Sequence, residues 1–200
     1  NVDIDTFMVT FTADTNWNGY EDIIFTIDDQ DLRFTDSDTV RVSVLAVNDA
    51  PVITALDSVT IDEDSFAEVN FSATDVDGDN LTFIASSTDT SVTVTVSIDT
   101  LTLTPAVDWN GQANITVFVT DGSLSDTTLF VFTVTPLNDA PMASETTISL
   151  DEDTTYTGTL FGTDVDGDGD DMTFAILTNP VNGTISLNDT STGAYTYSPN

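Results

Sequence analysis

The sequence predicts an all-β chain built of tandem seven-stranded β-sandwiches. Three observations support this fold class: a hydrophobic fraction of 40% rich in Val, Ile and Phe, the absence of any helical period, and four short motifs that return in one order. Val, Ile, Thr and Phe fit the pleated, half-buried surface of a sheet. This content favours folded β-structure over the disorder that a high net charge would otherwise indicate.

The motifs recur about 90 residues apart along the chain. VNDAPV at 47–52 returns as LNDAPM at 137–142, IDEDS at 61–65 as LDEDT at 150–154, ATDVDGDNLTF at 73–83 as GTDVDGDGDDMTF at 162–174, and NWNG at 16–19 as DWNG at 108–111. Their order predicts one complete repeat at 48–137, the C-terminal half of an earlier repeat at 1–47, and the N-terminal two-thirds of a later one at 138–200. We therefore expect an internal segment of a longer array, without a signal sequence at its start.

Seven strand-like runs fill the complete repeat. They are A at 52–61, B at 66–74, C at 80–86, D at 91–98, E at 100–104, F at 113–120 and G at 124–135. Alternation is clearest in strand D, where every second residue is Val or Ile, and a tight turn is expected between D and E. Seven short strands separated by Asp, Asn and Gly turns are typical of an immunoglobulin-like sandwich.

Charge and composition narrow the possible partners. The chain carries 35 Asp and Glu against 2 Lys and Arg, a formal net charge of −33. Nucleic acid and anionic membrane surfaces would be repelled, whereas cations are favoured as ligands. The chain has no Cys and no His, which removes disulfides, thiolate sites and the commonest transition-metal ligand. No apolar run approaches the ~20 residues of a membrane span, so no membrane insertion is expected.

The acidic motifs are predicted to meet at the joints between repeats. Successive loops of an up-and-down sandwich alternate between its two ends, so loops A–B and E–F share one end, and loops B–C and F–G share the other. In a tandem array these two ends abut. The joint after the complete repeat should gather Asp62, Glu63, Asp64, Asp108, Asn110, Asn138 and Asp139 with Asp164, Asp166 and Asp168. The joint before it should gather Asn16, Asn18, Asn48 and Asp49 with Asp75, Asp77, Asp79 and Asp121.

Such oxygen-rich joints favour calcium. Ca²⁺ takes six to eight oxygen ligands at about 2.3–2.6 Å, and Mg²⁺, which demands a tighter octahedron, is the second choice. Zinc and iron lack their preferred nitrogen and sulfur ligands here. Two other interpretations stay open: the motifs could be polar turns that use Asp and Gly for backbone reasons, or part of a general halophilic surface. The segment at 164–171 also fits half of an EF-hand loop, but Ala175 stands where the closing Glu belongs.

The order of these motifs resembles the cadherin-like or bacterial immunoglobulin-like tandem repeats of large secreted surface adhesins. The likeness extends over essentially the whole chain and implies immunoglobulin/cadherin-like sandwiches. In cadherins, calcium lies between domains, held by an acid in loop A–B, an acidic triplet before strand F, an Asn/Asp linker and a DxD in loop B–C. The resemblance implies that role for Glu63, Asp108, Asn138, Asp139, Asp164 and Asp166. This sequence departs from the pattern in its short DWNG, in Asn16 at the equivalent Asp position, and in its shorter NDAP linker.

The sequence therefore favours a structural function. We expect an extracellular stalk or filament segment, secreted or at the cell surface, whose joints are rigidified by calcium and whose partners are the neighbouring repeats. The alternative is an adhesion module that binds a cell-surface glycan or protein, or other copies of itself in a filament. Trp17 and Trp109 could stack on sugars, although a buried anchor for their loop is the favoured role. An enzyme is not expected. Paired carboxylates of the kind that glycosidases use are present, but they lie in joint motifs that recur in every repeat, whereas a catalytic site would normally appear once.

Overall fold

The computed structural model describes residues 2–5, 8–28, 35–166 and 172–200. Within these ranges the chain forms eighteen strands and no helix. The strands are β1 (Val2–Asp5), β2 (Met8–Phe11), β3 (Gly19–Asp28), β4 (Thr35–Val44), β5 (Val52–Ile53), β6 (Val59–Asp62), β7 (Ala67–Asn70), β8 (Ala73–Thr74), β9 (Thr82–Ser87), β10 (Val92–Ser97), β11 (Thr100–Pro105), β12 (Gly111–Thr120), β13 (Ser125–Thr135), β14 (Met142–Ala143), β15 (Tyr156–Thr159), β16 (Gly162–Thr163), β17 (Gly183–Asp189) and β18 (Ala194–Pro199).

The complete repeat is a sandwich of two sheets. One sheet has the order β6-β13-β12-β9 and the other has the order β10-β11-β7. Strand β6 runs parallel to β13, and the other pairs in these two sheets are antiparallel. This arrangement confirms the predicted all-β, immunoglobulin-like fold.

The core of the repeat lies between the two sheets. Every second residue of β12, from Ala113 to Val119, is buried, and the residues between them are more exposed. One core cluster contains Phe132 of β13 with Leu101 and Leu103 of β11, and all three side chains are fully buried. The period-2 alternation expected of a half-buried strand is therefore present in both sheets.

Predicted strands A and B are each divided in two, so the single run proposed for 52–61 is wrong. Strand β5 pairs with β8, whereas β6 joins the four-stranded sheet. The chain crosses between the sheets at 54–58, as sandwich strands do when they switch sheets at a bend. Strand B is interrupted at Phe71, whose amide donates to the Asp99 carbonyl oxygen at 2.9 Å. The expected D–E turn is confirmed, with Ile98 at φ 55°.

The flanking repeats reproduce parts of this pattern. Strand β14 pairs with β16, as β5 does with β8, and the sheet β15-β18-β17 matches β7-β11-β10. Strand β3 forms a hairpin with β4, as β12 does with β13. Tyr195 of β18 is buried, as Leu101 of β11 is. The motif equivalences thus coincide with equivalent strand pairings.

Asp126 of β13 fixes the first strand of the complete repeat. Its carboxylate accepts hydrogen bonds from the Ile53 amide at 3.0 Å and the Thr127 amide at 2.7 Å. The Ile53 bond, followed by the Thr127 bond, lowers the pKa of Asp126. A carboxyl with a lowered folded pKa stabilises the fold above its unfolded pKa, and that stability is lost as the pH falls through the folded pKa.

We therefore expect Asp126→Asn to be less stable than the wild type at neutral pH. The difference should persist down to about pH 4 and shrink below it, as the wild-type carboxyl becomes protonated. Urea unfolding between pH 3 and 7 measures this, with the exposed Asp57→Asn as a control of equal charge change. A difference that stayed constant down to pH 3 would contradict the role given to the Asp126 carboxylate.

Candidate metal centre

Five acidic side chains meet at the joint after the complete repeat. One carboxylate oxygen from each of Glu63, Asp139 and Asp166 lies within 4.8 Å of the others, and the same holds for Asp64, Asp108 and Asp139. Asp139 belongs to both groups. Oxygens around one Ca²⁺ at about 2.4 Å are separated by at most twice that distance, so each group has dimensions that suit a single ion.

Parallel pairing of β6 with β13 places Glu63 beside the linker. Asp62 and Thr135 are the last residues of the two strands and are in register. Because the strands are parallel, the chain leaves both of them at the same end of the sheet. The Glu63 amide donates to the Thr135 carbonyl oxygen at 3.0 Å, and its carboxylate accepts from the Leu137 amide at 2.6 Å. Glu63 is only 4% exposed. The linker therefore covers this carboxylate and holds it against the joint.

Asp64 and Asp108 occupy sharp turns. Their φ angles are 59° and 57°, in the left-handed region that Asp and Asn tolerate better than most residues. The Asp108 amide donates to the Asp64 carboxylate at 3.1 Å. Asp153 and Asn16, at the equivalent positions of the other repeats, have φ angles of 62° and 60°. Backbone geometry alone therefore accounts for an Asp or Asn here, which supports the polar-turn interpretation for these positions.

The carboxylate of Asp139, unlike those of Asp64 and Asp108, is not explained by backbone geometry. This residue donates an amide hydrogen bond to the Asp166 carboxylate at 2.8 Å, but its own Oδ2 is buried without a hydrogen-bond partner among the described residues. Burial, followed by the charges of Asp108, Asp166, Asp64 and Glu63, raises the pKa of Asp139. A buried, unpaired acceptor among like charges is unfavourable unless a positive charge is near. The donor set, all hard carboxylate oxygens, fits calcium.

The other predicted ligands of this joint have mostly local partners. Asp62 accepts from the Thr135 hydroxyl at 2.6 Å, and the Asn138 side-chain amide donates to the Asp139 carbonyl oxygen at 2.8 Å. Asp164 accepts from the Asp166 amide at 3.2 Å. Asn110 is exposed in its loop. Asp168 lies outside the described residues, so its predicted role stays a prediction.

The joint before the complete repeat has the same linker contact. The Asp49 amide donates to the Asp77 carboxylate at 2.8 Å, as Asp139 does to Asp166. The Asn48 side-chain amide donates to the Asp121 carboxylate at 2.8 Å. That bond, followed by those from the Leu124 and Ser123 amides, lowers the pKa of Asp121. The equivalent linker contacts indicate that the two joints are built in the same way.

An acidic cluster also lies at this first joint. Carboxylate oxygens of Asp75, Asp77 and Asp79 lie within 4.8 Å of one another. Asp75 Oδ1 accepts from the amides of Asp77 and Gly78 at 2.9 and 3.1 Å, while its Oδ2 is buried without a partner among the described residues. Asn16 and Asn18 are exposed in the preceding turn.

Sequence reasoning missed the backbone contribution of the linker. The amides of Leu137, Asp139 and Asp49 each fix one carboxylate, and main-chain donors leave no signature in residue type. Sequence reasoning also did not separate the carboxylates of the second joint into two groups that share Asp139. The Trp prediction is confirmed for Trp109, which packs against the core, whereas Trp17 is 38% exposed.

Comparisons with known proteins give one family match and several distant structural likenesses. The model of the family described as "Bacterial Ig domain" matches residues 48–133 and 138–200. No curated protein sequence matches the chain. Similar solved structures include an endo-fucoidan hydrolase from glycoside hydrolase family 107, at 20% identity, TM-score 0.38, over 99% of this chain and 33% of that one. Drosophila N-cadherin EC1-4 is similar at 15% identity, TM-score 0.42, over 89% and 48%. The titin domains z1z2 in complex with telethonin are similar at 16% identity, TM-score 0.35, over 76% and 81%.

These structural likenesses carry no argument about activity, because identity and TM-score are low. The chain spans about a third of the hydrolase chain and about half of the cadherin chain. The described part of the sequence has no helix with the length and apolar character to cross a membrane. Bacterial Ig domains are typically extracellular and are generally not enzymes. With the family model covering most of its residues, the chain belongs to the bacterial Ig domain family, whose sandwiches are structural or adhesion modules.

Proposed function

We propose that this chain is a stretch of an extracellular stalk or filament in which calcium, bound at the joints, rigidifies successive Ig sandwiches. The observation that carries the proposal is the meeting of Glu63, Asp64 and Asp108 from one repeat with Asp139 of the linker and Asp166 of the next. Ligands drawn from both sides of a joint give a bound ion a mechanical role that ligands from one loop would not have.

Among the described residues, no basic side chain lies at this joint. Lys and His are absent from the sequence, and neither of the two Arg lies beyond residue 41. Arg41 is occupied in the first repeat, where it forms an ion pair with Asp22 at 2.7 Å and lies over the Tyr20 ring. A divalent cation from solvent would supply two positive charges at one point of this joint.

A bound ion would stiffen the joint in two ways. It would offset the burial and the like-charge repulsion that raise the pKa of Asp139, and it would connect that linker residue to carboxylates on both flanking repeats. The hydrogen bond from the Asp139 amide to the Asp166 carboxylate already connects the linker to the following repeat. Bending would then require breaking metal–oxygen contacts as well as this bond.

Calorimetric titration of the whole chain with CaCl₂ tests the proposal. We expect saturable binding with Kd near the ~10⁻⁴–10⁻³ M of extracellular calcium modules and weaker binding of Mg²⁺. Chelation should lower the thermal midpoint and change the hydrodynamic radius. Absence of saturable calcium binding, or equal midpoints and radii with and without chelator, would refute the proposal.

A further inference from the structure

Three strands of the four-stranded sheet present an outward surface without charged side chains, while the fourth strand, β6, places Asp62 at the edge of that surface, in register with Thr135. The outward side chains of the three strands form the uncharged surface, and their inward neighbours fill the core. We name this surface the neutral face. Its twelve residues are Thr82, Ile84 and Ser86 of β9, Gln112, Asn114, Thr116, Phe118 and Thr120 of β12, and Thr127, Leu129, Val131 and Thr133 of β13. In a chain with 35 acidic residues, this surface lacks the repulsion that the joints exert.

The centre of the neutral face is apolar. Ile84 and Leu129 are 59% and 58% exposed. Phe118 lies directly opposite Ile84 on the neighbouring strand, and Leu129 lies opposite Thr116, one pair further along the sheet. Directly opposite and diagonal cross-strand neighbours are close enough for large side chains to touch. The half-buried Phe118 joins the exposed Ile84 and Leu129 into one apolar patch within a rim of Thr, Ser, Asn and Gln.

The opposite sheet has a different outer surface. There the outward residues are hydroxyl-bearing, as in the pairs Thr93 with Thr104 and Thr95 with Thr102. Glu68 of β7 adds a charge in register with Thr102. No large apolar residue points outward on these strands. The apolar centre is therefore a property of one face and does not follow simply from β-structure.

We propose that the neutral face binds the same face of a second copy of this chain. A cationic partner would be drawn to the acidic joints and not to an uncharged surface, and an anionic polymer would be repelled by the chain as a whole. Thr, Ser, Asn and Gln both donate and accept hydrogen bonds. A two-fold-related copy thus presents a matching rim around a matching apolar centre.

The contact is weak in a single repeat. Three strands spaced about 4.8 Å apart, over about seven residues each, cover about 350 Å² per partner, against about 800 Å² in a standard stable interface. Side-by-side arrays would multiply the contact by avidity. Because both partners are strongly negative, salt should strengthen the association by screening their repulsion, opposite to its effect on an interface of ion pairs. The contact is independent of calcium at the joints.

Sedimentation equilibrium of the whole chain, in chelator at 0.05 and 0.5 M NaCl, tests this contact. We expect reversible dimerisation within protein concentrations up to about 1 mM, stronger at the higher salt. Leu129→Asp, which places a charge at the exposed centre, should weaken it about tenfold or more. Thr102→Asp, the same added charge on the opposite sheet, is the control and should change it less than about twofold. Ile84→Asp provides a second variant on the neutral face.

Several results would overturn the proposal. A chain that is monomeric at about 1 mM in both salts has no such contact. Association that weakens as salt is added belongs to a charged interface elsewhere. If Leu129→Asp and Ile84→Asp associate as the wild type does, or if Thr102→Asp weakens association equally, another surface is responsible. Circular dichroism of each variant confirms that the fold is retained.

Discussion

Replacing Asp139 and Asp166 together by asparagine should reduce the calcium affinity of the joint about 100-fold, since each change removes one charged ligand and about 1.4 kcal/mol corresponds to tenfold. Asp139 is the residue common to both carboxylate groups, and Asp166 is the ligand from the following repeat. Calorimetric titration of wild type and variant measures the change. Asp57→Asn with Asp151→Asn alters the net charge equally at exposed positions and should leave the joint site intact.

The same double variant should have opposite effects on stability in calcium and in chelator. Without calcium, burial and the neighbouring carboxylates raise the pKa of Asp139 and disfavour its ionised form in the folded joint, so we expect removal of the charge to raise the thermal midpoint. In saturating calcium the loss of ligands should lower it. A variant that binds calcium as the wild type does, or whose midpoint moves in one direction in both buffers, would contradict the assignment of the site.

Phe132→Ala should destabilise the complete repeat by about 3–5 kcal/mol, the range for truncating a buried aromatic core residue. Phe132 is fully buried and packs in the core with Leu101 and Leu103. Phe66→Ala is the matched control, because Phe66 is 62% exposed and should lose less than about 0.5 kcal/mol. Urea unfolding measures both. Equal losses in the two variants would show that the sandwich core does not lie where the structure places it.

Much of the joint could be predicted from the sequence because it depends on counting strands. Loop parity requires only that strands alternate in direction, and parity brought Asp139 of the linker together with Asp166 of the following repeat. The equivalent contact of Asp49 with Asp77 follows from the same argument. The recurrence of the motifs was enough to predict that the two joints are equivalent, and this prediction needed no information about packing.

What the sequence did not reveal depends on backbone contacts. The division of strand A into β5 and β6 is set by pairing with β8 and β13, and both parts carry the same apolar alternation. Burial of Glu63 results from the Leu137 amide and the path of the linker. Such hydrogen bonds use main-chain atoms, so they cannot be predicted from the residue types in the sequence.

The stiffness of the joint between 48–137 and 138–200 is the property that calcium should control. The chain has no cysteine, so Thr95→Cys and Thr184→Cys, on exposed positions of β10 and β17, allow a donor and an acceptor dye to be attached on either side. Single-molecule energy transfer then reports the spread of distances across the joint. We predict a broad distribution in chelator that collapses to one narrow peak in calcium, and a broad one in both buffers when Asp139 and Asp166 are replaced by asparagine. Identical distributions for the wild-type joint with and without saturating calcium would contradict the account.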